Sequence, residues 1–242
     1  MNINFQGQTA IVTGASKGIG KSVATMLVKL KCRVIYTGKS YIPENKIKGA
    51  EYVQLDLSDQ KSVQNFIDNI VNNLSSIEIL INNAGIQIPS FINLINITDW
   101  NKSIAVNLSG PMQLIQAVSR LMIPKKYGRI LNISSIAGII TKPNQASYSA
   151  SKSGLNGLTR TAALELAPFN ILVNSLCPGT TTTPMTEKLL TKDQKISLIN
   201  KIPLNRMASP EEIANFALFL SSTFNSYITG QALVIDGGYT IQ

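Results

Sequence analysis

The chain has 242 residues, 22 Lys and Arg against 13 Asp and Glu for a net charge of +9, no His and two Cys. Hydrophobic residues make up 44% and charged residues 14%, against roughly 25% charged in an average soluble protein, so the chain is too apolar for disorder. The absence of His excludes a histidine metal ligand, a Ser-His-Asp triad and a histidine acid or base, leaving Tyr, Lys, Asp, Glu or Cys for any proton transfer.

Gln8–Thr13 reads as a buried strand broken by Gly14. Ile19–Leu30 then carries Ile19, Val23, Met26, Leu27 and Leu30 at helical spacing. Arg33–Thr37 and Glu51–Leu55 are the next strands. Only about a dozen residues separate them, with Pro43 and Gly49 among them, which predicts a loop or one helical turn in place of a crossover helix. Lys61–Asn73 reads as a helix with Val63, Phe66, Ile67 and Ile70 on one face, followed by a strand at Ile77–Ile81. Asp99–Met122 is predicted as one long helix whose pattern is interrupted by Gly110-Pro111. A strand at Arg129–Ile133, a helix at Tyr148–Leu166 and a strand at Ile171–Leu176 follow. Ser209-Pro210-Glu211-Glu212 has the N-cap, the Pro at N1 and the Glu at N3 that start a helix, here running to about Leu220. Ala232–Ile235 is the last strand.

Strands alternating with helices imply an α/β fold, a Rossmann-like doubly wound parallel sheet of about seven strands with helices on both faces. No repeat or linker divides the chain, so one domain over 1–242 is expected. A ligand would sit at the carboxyl ends of the strands, near the switch point.

Cys32 and Cys177 form no Cys-x-x-Cys pair, so no zinc site, no disulfide framework and a reducing compartment are expected. Met1–Gly7 has no cationic segment followed by an apolar run, and no stretch approaches ~18 uninterrupted apolar residues. A cytoplasmic protein without a membrane span is the expectation. Lys39, Lys46, Lys48, Lys125 and Lys126 are not interleaved with aromatics, which argues against nucleic acid as a partner. The positive balance reads as a solvated basic surface or as a preference for anionic ligands, a phosphorylated cofactor or an acidic carrier.

Three motifs carry chemistry. Thr13-Gly14-Ala15-Ser16-Lys17-Gly18-Ile19-Gly20 follows a strand and opens a helix, the context of a dinucleotide fingerprint. Gly14 allows the turn, Gly18 lets the backbone approach a pyrophosphate at the helix N-terminus, and Gly20 permits close packing. Tyr148 and Lys152 lie four residues apart and so share one helix face. An ammonium beside a phenol favours phenolate, so the pair can move a proton without His, and a lowered Tyr148 pKa is expected. Asn82-Asn83-Ala84-Gly85, Ser135 and Pro178-Gly179 each follow a strand, and Asn107 sits inside the long helix, where a buried amide could also be structural.

In this order the motifs resemble those of the short-chain dehydrogenase/reductase family, nearest to its 3-oxoacyl-(acyl carrier protein) reductases, from Gln8 to Gly238. The resemblance implies a catalytic set of Asn107, Ser135, Tyr148 and Lys152. Tyr148 would protonate the carbonyl oxygen, Ser135 orient it, Lys152 hold the nicotinamide ribose, and Asn107 support a water relay. It implies cofactor contacts from Gly14, Ser16, Lys17, Gly18, Ile19 and Gly20, from Asp56 and Leu57 at the adenine, and from Asn83, Ala84 and Gly85. Pro178, Gly179, Thr181 and Thr183, with Tyr148 and Lys152, would hold the nicotinamide end. The second strand ends Thr37-Gly38-Lys39 without a carboxylate, so NADPH is expected over NADH, with Lys39 and Lys17 at the 2′-phosphate. Residues 184–205 would form a mobile substrate lid. Further implications are an acyl-carrier-protein-linked or small-molecule substrate, Lys126 as a carrier-docking residue, and a homotetramer or homodimer. The alternatives are another ketone or alcohol substrate (a sugar, cyclitol, steroid or secondary-metabolite intermediate) and, more remotely, a dinucleotide sensor without turnover.

Overall fold

A computed structural model describes residues 3–43 and 45–241. Met1 and Asn2 of the N-terminal stretch, Glu44 of the short connection and the last residue of the expected domain lie outside the described residues. Seven strands form one parallel sheet: β1 (Thr9–Val12), β2 (Arg33–Gly38), β3 (Glu51–Gln54), β4 (Ile79–Asn82), β5 (Gly128–Ile133), β6 (Ile171–Pro178) and β7 (Ala232–Ile235). Their spatial order is β3-β2-β1-β4-β5-β6-β7. The chain winds outward from β1 through β2 to β3, then returns to the other side of β1 with β4. The switch point therefore lies between β1 and β4, where a doubly wound sheet opens a crevice.

The central strands are buried along their whole lengths, as continuous apolar runs in a sheet covered on both faces should be. The outermost strands β3 and β7 are only partly covered. Helices α1 (Gly18–Lys29) and α8 (Pro210–Ser221) cover one face through Val23, Leu27, Ile213 and Leu218. Helices α2 (Gln60–Asn73), α4 (Gly110–Met122) and α5 (Ala146–Leu166) cover the other through Phe66, Ile70, Leu114, Val118 and Leu166. Ser209 and Glu212 make the expected capping box at the start of α8, and Arg206 grips the same carboxylate.

Several boundaries depart from the sequence reading. The expected helix at Asp99–Met122 is α3 (Ile97–Ile104), a π-helical turn at Ala105–Ser109, and then α4. The physical cause is Pro111, whose ring conflicts with the carbonyl four residues back, that of Asn107, and which has no N–H to donate; the wider turn absorbs both. The fourth strand begins at Ile79, two residues later than expected; Glu78 before it still pairs with Thr9 and Arg129 through its backbone, and its carboxylate accepts the Thr9 N–H at 2.7 Å. The connection from β2 to β3 has no helix among the described residues, as its length predicted. The segment 184–205 contains two short helices that the sequence reading did not anticipate, α6 (Pro184–Leu189) and α7 (Lys192–Ile199). Their signals were present: Thr183 caps Pro184 at N1, and Thr191 with Gln194 forms a capping box.

No helix among the described residues is long and apolar enough to cross a membrane. Among the same residues, no group of three or more His, Cys, Asp or Glu is placed to hold a metal ion.

Candidate active site

A cleft of about 460 Å³ opens over the carboxyl ends of the strands. The turn after β1 forms its floor, with Gly14, Ser16, Lys17, Gly18 and Ile19 all on its wall. Gly14 and Gly18 have φ of +61° and +59°, which only glycine adopts freely. A Cβ on Gly14 would lie 2.7 Å from the Ala84 Cα. Gly20 is buried behind the wall, and a Cβ there would meet the Asn83 amide at 2.3 Å. Lys17 is the N-cap of α1 but its side chain makes no cap hydrogen bond, and the first turn carries no acidic residue. The first N–H groups of α1 thus face the cleft without a protein anion, the arrangement that suits a pyrophosphate. These observations fit a dinucleotide.

Asn83, Ala84 and Gly85 line the cleft from the end of β4. The Asn83 amide donates to the carbonyls of Thr13 at 2.8 Å and Gly14 at 3.0 Å. Its side chain therefore shapes the glycine turn by stapling β4 to it. Asp56 and Leu57 lie at the far end of the cleft. One Asp56 oxygen accepts from the Ser58 N–H and hydroxyl, and the other pairs with the Lys39 ammonium at 2.9 Å. Burial works to raise the Asp56 pKa, but the Ser58 and Lys39 contacts outweigh it and hold the carboxyl below its ordinary value. Pro178, Gly179, Thr181 and Thr183 close the opposite side.

The chemical end is built by β5 and α5. Ser135 follows β5 and Tyr148 stands in the first turn of α5; both line the cleft, as does Lys152. The Ser135 hydroxyl accepts the Ala137 N–H at 3.1 Å and is hydrogen-bonded to the Tyr148 phenol. The Lys152 ammonium donates to the Ile133 carbonyl at 2.7 Å and lies 5.8 Å from the Tyr148 ring centre. Burial pulls the Lys152 pKa down to about 8, with Cys177 opposing. Burial also raises that of Tyr148; the Ser135 hydrogen bond lowers it in part, and Cys177 adds to the rise. This corrects the expected lowering: the cost of removing a phenolate from water outweighs the Ser135 hydrogen bond, which favours the neutral phenol as a donor.

Asn107 is fully buried and lies behind the cleft wall, within the π-helical turn. Its amide accepts from the Ile86 N–H at 2.9 Å and donates to the Ile86 carbonyl at 2.9 Å and to Ser151 at 3.0 Å. It fastens the segment after Gly85 to α5. Burial raises the Cys177 thiol pKa, and the thiol donates to Asn156 at 3.8 Å, which suits a packing role rather than a reactive one. Lys126 precedes β5 and Ser135 follows it. It therefore sits at the opposite end of the strand from the cleft.

Beneath the site runs a polar network that sequence reasoning did not find. Asn82 donates to Asn132 at 2.8 Å, Asn132 to Thr159 at 2.8 Å, and Thr159 meets Ser175 at 2.7 Å. It ties β4, β5, α5 and β6 together directly under the catalytic end.

A glycine turn on an uncapped helix N-terminus, at the switch point of a doubly wound parallel sheet, defines a nicotinamide-dinucleotide-binding oxidoreductase. The particular family is the short-chain dehydrogenase/reductase family, to which the chain belongs. A family profile described as enoyl-(acyl carrier protein) reductase matches residues 14–240. The 3-oxoacyl-[acyl-carrier-protein] reductase of Aquifex aeolicus is 38% identical over 98% of this chain and 99% of its own length. That of Escherichia coli K12 is 36% identical over 98% of each. Among solved structures, a short-chain type dehydrogenase/reductase from Mycobacterium marinum superposes with a TM-score of 0.91 at 32% identity, covering 99% of this chain and 98% of the other. A gluconate 5-dehydrogenase from Burkholderia cenocepacia, in complex with NADP and tartrate, gives 0.91 at 29% identity, covering 99% and 97%.

Proposed function

We propose that the chain is an NADPH-dependent reductase that converts a 3-oxoacyl thioester, carried on acyl carrier protein, to the 3-hydroxyacyl form. The observation that carries this reading is the meeting of Ser135, Tyr148 and Lys152 at one end of a cleft whose outer wall includes Ile86, Ile140, Met185, Leu190 and Leu198. An apolar wall of that kind suits an acyl chain.

The turn from Gly14 to Gly20 and the N-terminus of α1 would hold the pyrophosphate. Asp56 and Leu57 would border the adenine, and Lys39 and Lys17 the 2′-phosphate. Pro178, Gly179, Thr181 and Thr183 would flank the nicotinamide, with Tyr148 and Lys152 at its ribose. When bound, the reduced cofactor supplies a hydride. Ser135 and Tyr148 aim hydroxyl donors at the carbonyl oxygen where negative charge develops. Tyr148 gives that oxygen its proton, and the Lys152 charge stabilises the phenolate left behind. Asn107 keeps α5 and the Ile86 segment in register, so the donors stay fixed.

The chain acts as one domain, with residues 184–205 as the lid over the substrate. Assembly into a homotetramer or homodimer would use α4, α5 and β7, which leave Met112, Leu164 and Val234 exposed. A cytoplasmic location accords with a soluble carrier.

A second reading has its own support: Lys102 and Lys142 also line the cleft, and a keto acid of the gluconate type would pair its carboxylate there. The test is oxidation of NADPH with a short-chain 3-oxoacyl thioester and, in parallel, with a keto-gluconate. Faster turnover of the thioester supports the first reading; turnover of the keto acid alone transfers it to the second.

A further inference from the structure

The connection from β2 to β3 has no helix among its described residues to hold it, yet Lys39 lies at its start. Three alternate residues of β3 and its exit, Tyr52, Gln54 and Asp56, meet this segment in turn. The Tyr52 hydroxyl donates to the Ser40 carbonyl. The Gln54 amide donates to the Lys39 carbonyl at 3.1 Å. Asp56 takes the Lys39 ammonium at 2.9 Å. The alternation has a simple cause: β3 is an edge strand paired in parallel with β2, Tyr36 beside Tyr52 and Gly38 beside Gln54. Its other face turns Val53, Leu55 and Leu57 into the core. The Tyr52 ring is itself braced by Tyr36, 5.1 Å away, and the Tyr36 hydroxyl accepts the Ile47 N–H at 3.2 Å.

We infer that Tyr52 and Gln54 are positioning residues for cofactor choice: they fix the main chain at Lys39 and Ser40 so that the Lys39 ammonium is presented to the 2′-phosphate of NADPH. A lysine on a free loop loses much of its binding gain to the ordering of its chain and backbone. Here the backbone is tied before the cofactor arrives. Asp56 holds the ammonium in the cleft until then, through an ion pair whose Lys39 side chain is 69% exposed. The Asp56 side chain is only 21% exposed, but water reaches the Lys39 end of the pair, so a phosphate can compete for the ammonium there. This inference rests on the reading of NADPH as the cofactor.

The test is equilibrium binding of NADP+ and of NAD+ to the wild-type protein, Tyr52→Phe, Gln54→Leu, the double variant and Lys39→Ala. Tyr52→Phe keeps the ring against Tyr36, and thermal melts confirm that each variant is folded. Each lost hydrogen bond is expected to weaken NADP+ binding about fivefold, with NAD+ binding unchanged within about twofold. A purely structural role would weaken both cofactors together, and that result overturns the inference. So does an unchanged NADP+ affinity in the double variant while Lys39→Ala loses it, which leaves the NADPH reading intact. If the wild type shows no preference, or Lys39→Ala keeps it, the NADPH reading and the inference fail together.

Discussion

Helix α5 buries nine of its 21 residues, whereas α6 and α7 bury none, yet all three face the same cleft. α5 carries Tyr148 and Lys152 and is bound to β5 and β6 by the network through Asn132, Thr159 and Ser175. Met185, Leu189 and Leu198 of α6 and α7 reach the cleft from helices held by their caps and a few surface contacts. The difference accords with the two tasks proposed for them. Proton transfer needs donors fixed to fractions of an ångström, which a buried helix supplies. Admitting and choosing a substrate needs segments that open at low cost, drawn from the least buried parts of a fold.

This contrast can be broken from either side. Ser135→Ala removes a donor to the carbonyl oxygen, so kcat should fall by about 10² to 10³ while cofactor affinity holds; steady-state kinetics and binding titration read both. The pH profile should show the same end of the cleft at work. Lys152 loses its charge as pH rises through about 8, and in the proposed mechanism its ammonium stabilises the Tyr148 phenolate. The reduction rate should therefore be full below that value and decline by about tenfold per unit well above it; a rate–pH curve under saturating cofactor checks this. Asn132→Ala leaves the buried Asn82 amide without its acceptor, so unfolding in urea should show a loss of about 2 kcal/mol. Leu198→Ala, on the lid side, should raise KM for a long-chain substrate a few fold and leave folding stability within about 0.5 kcal/mol. A lid variant that destabilised the fold as much as Asn132→Ala would erase the contrast.

The same two regions differ in how well the sequence announces them. The glycine turn and the strand-helix alternation were legible because backbone constraints leave a strong residue signature, as at Gly14 and Gly18. Ser209-Pro210-Glu211-Glu212 announced α8 for the same local reason. Tyr148 and Lys152 were legible from their spacing only in the company of the other motifs, and the direction of the Tyr148 pKa was not, because desolvation depends on what the fold packs around the ring. The break in the long helix was visible at Pro111, though its form as a π-helical turn around Asn107 was not. α6 and α7 went unread: Thr183-Pro184 and Thr191 with Gln194 are local signals, but helices with no buried face have no apolar period to add to them. Lys126 was legible as a residue type but not as a place, since only the topology puts it at the other end of β5 from the cleft of its own chain.

The central claim is that Tyr148 delivers the proton to the substrate oxygen from a fixed position in α5. The most direct test is single-turnover reduction of a short 3-oxoacyl thioester by the Tyr148→Phe variant with NADPH already bound. The account predicts unchanged cofactor binding and reduction slowed by about 10³. A rate equal to that of the wild-type protein would contradict it.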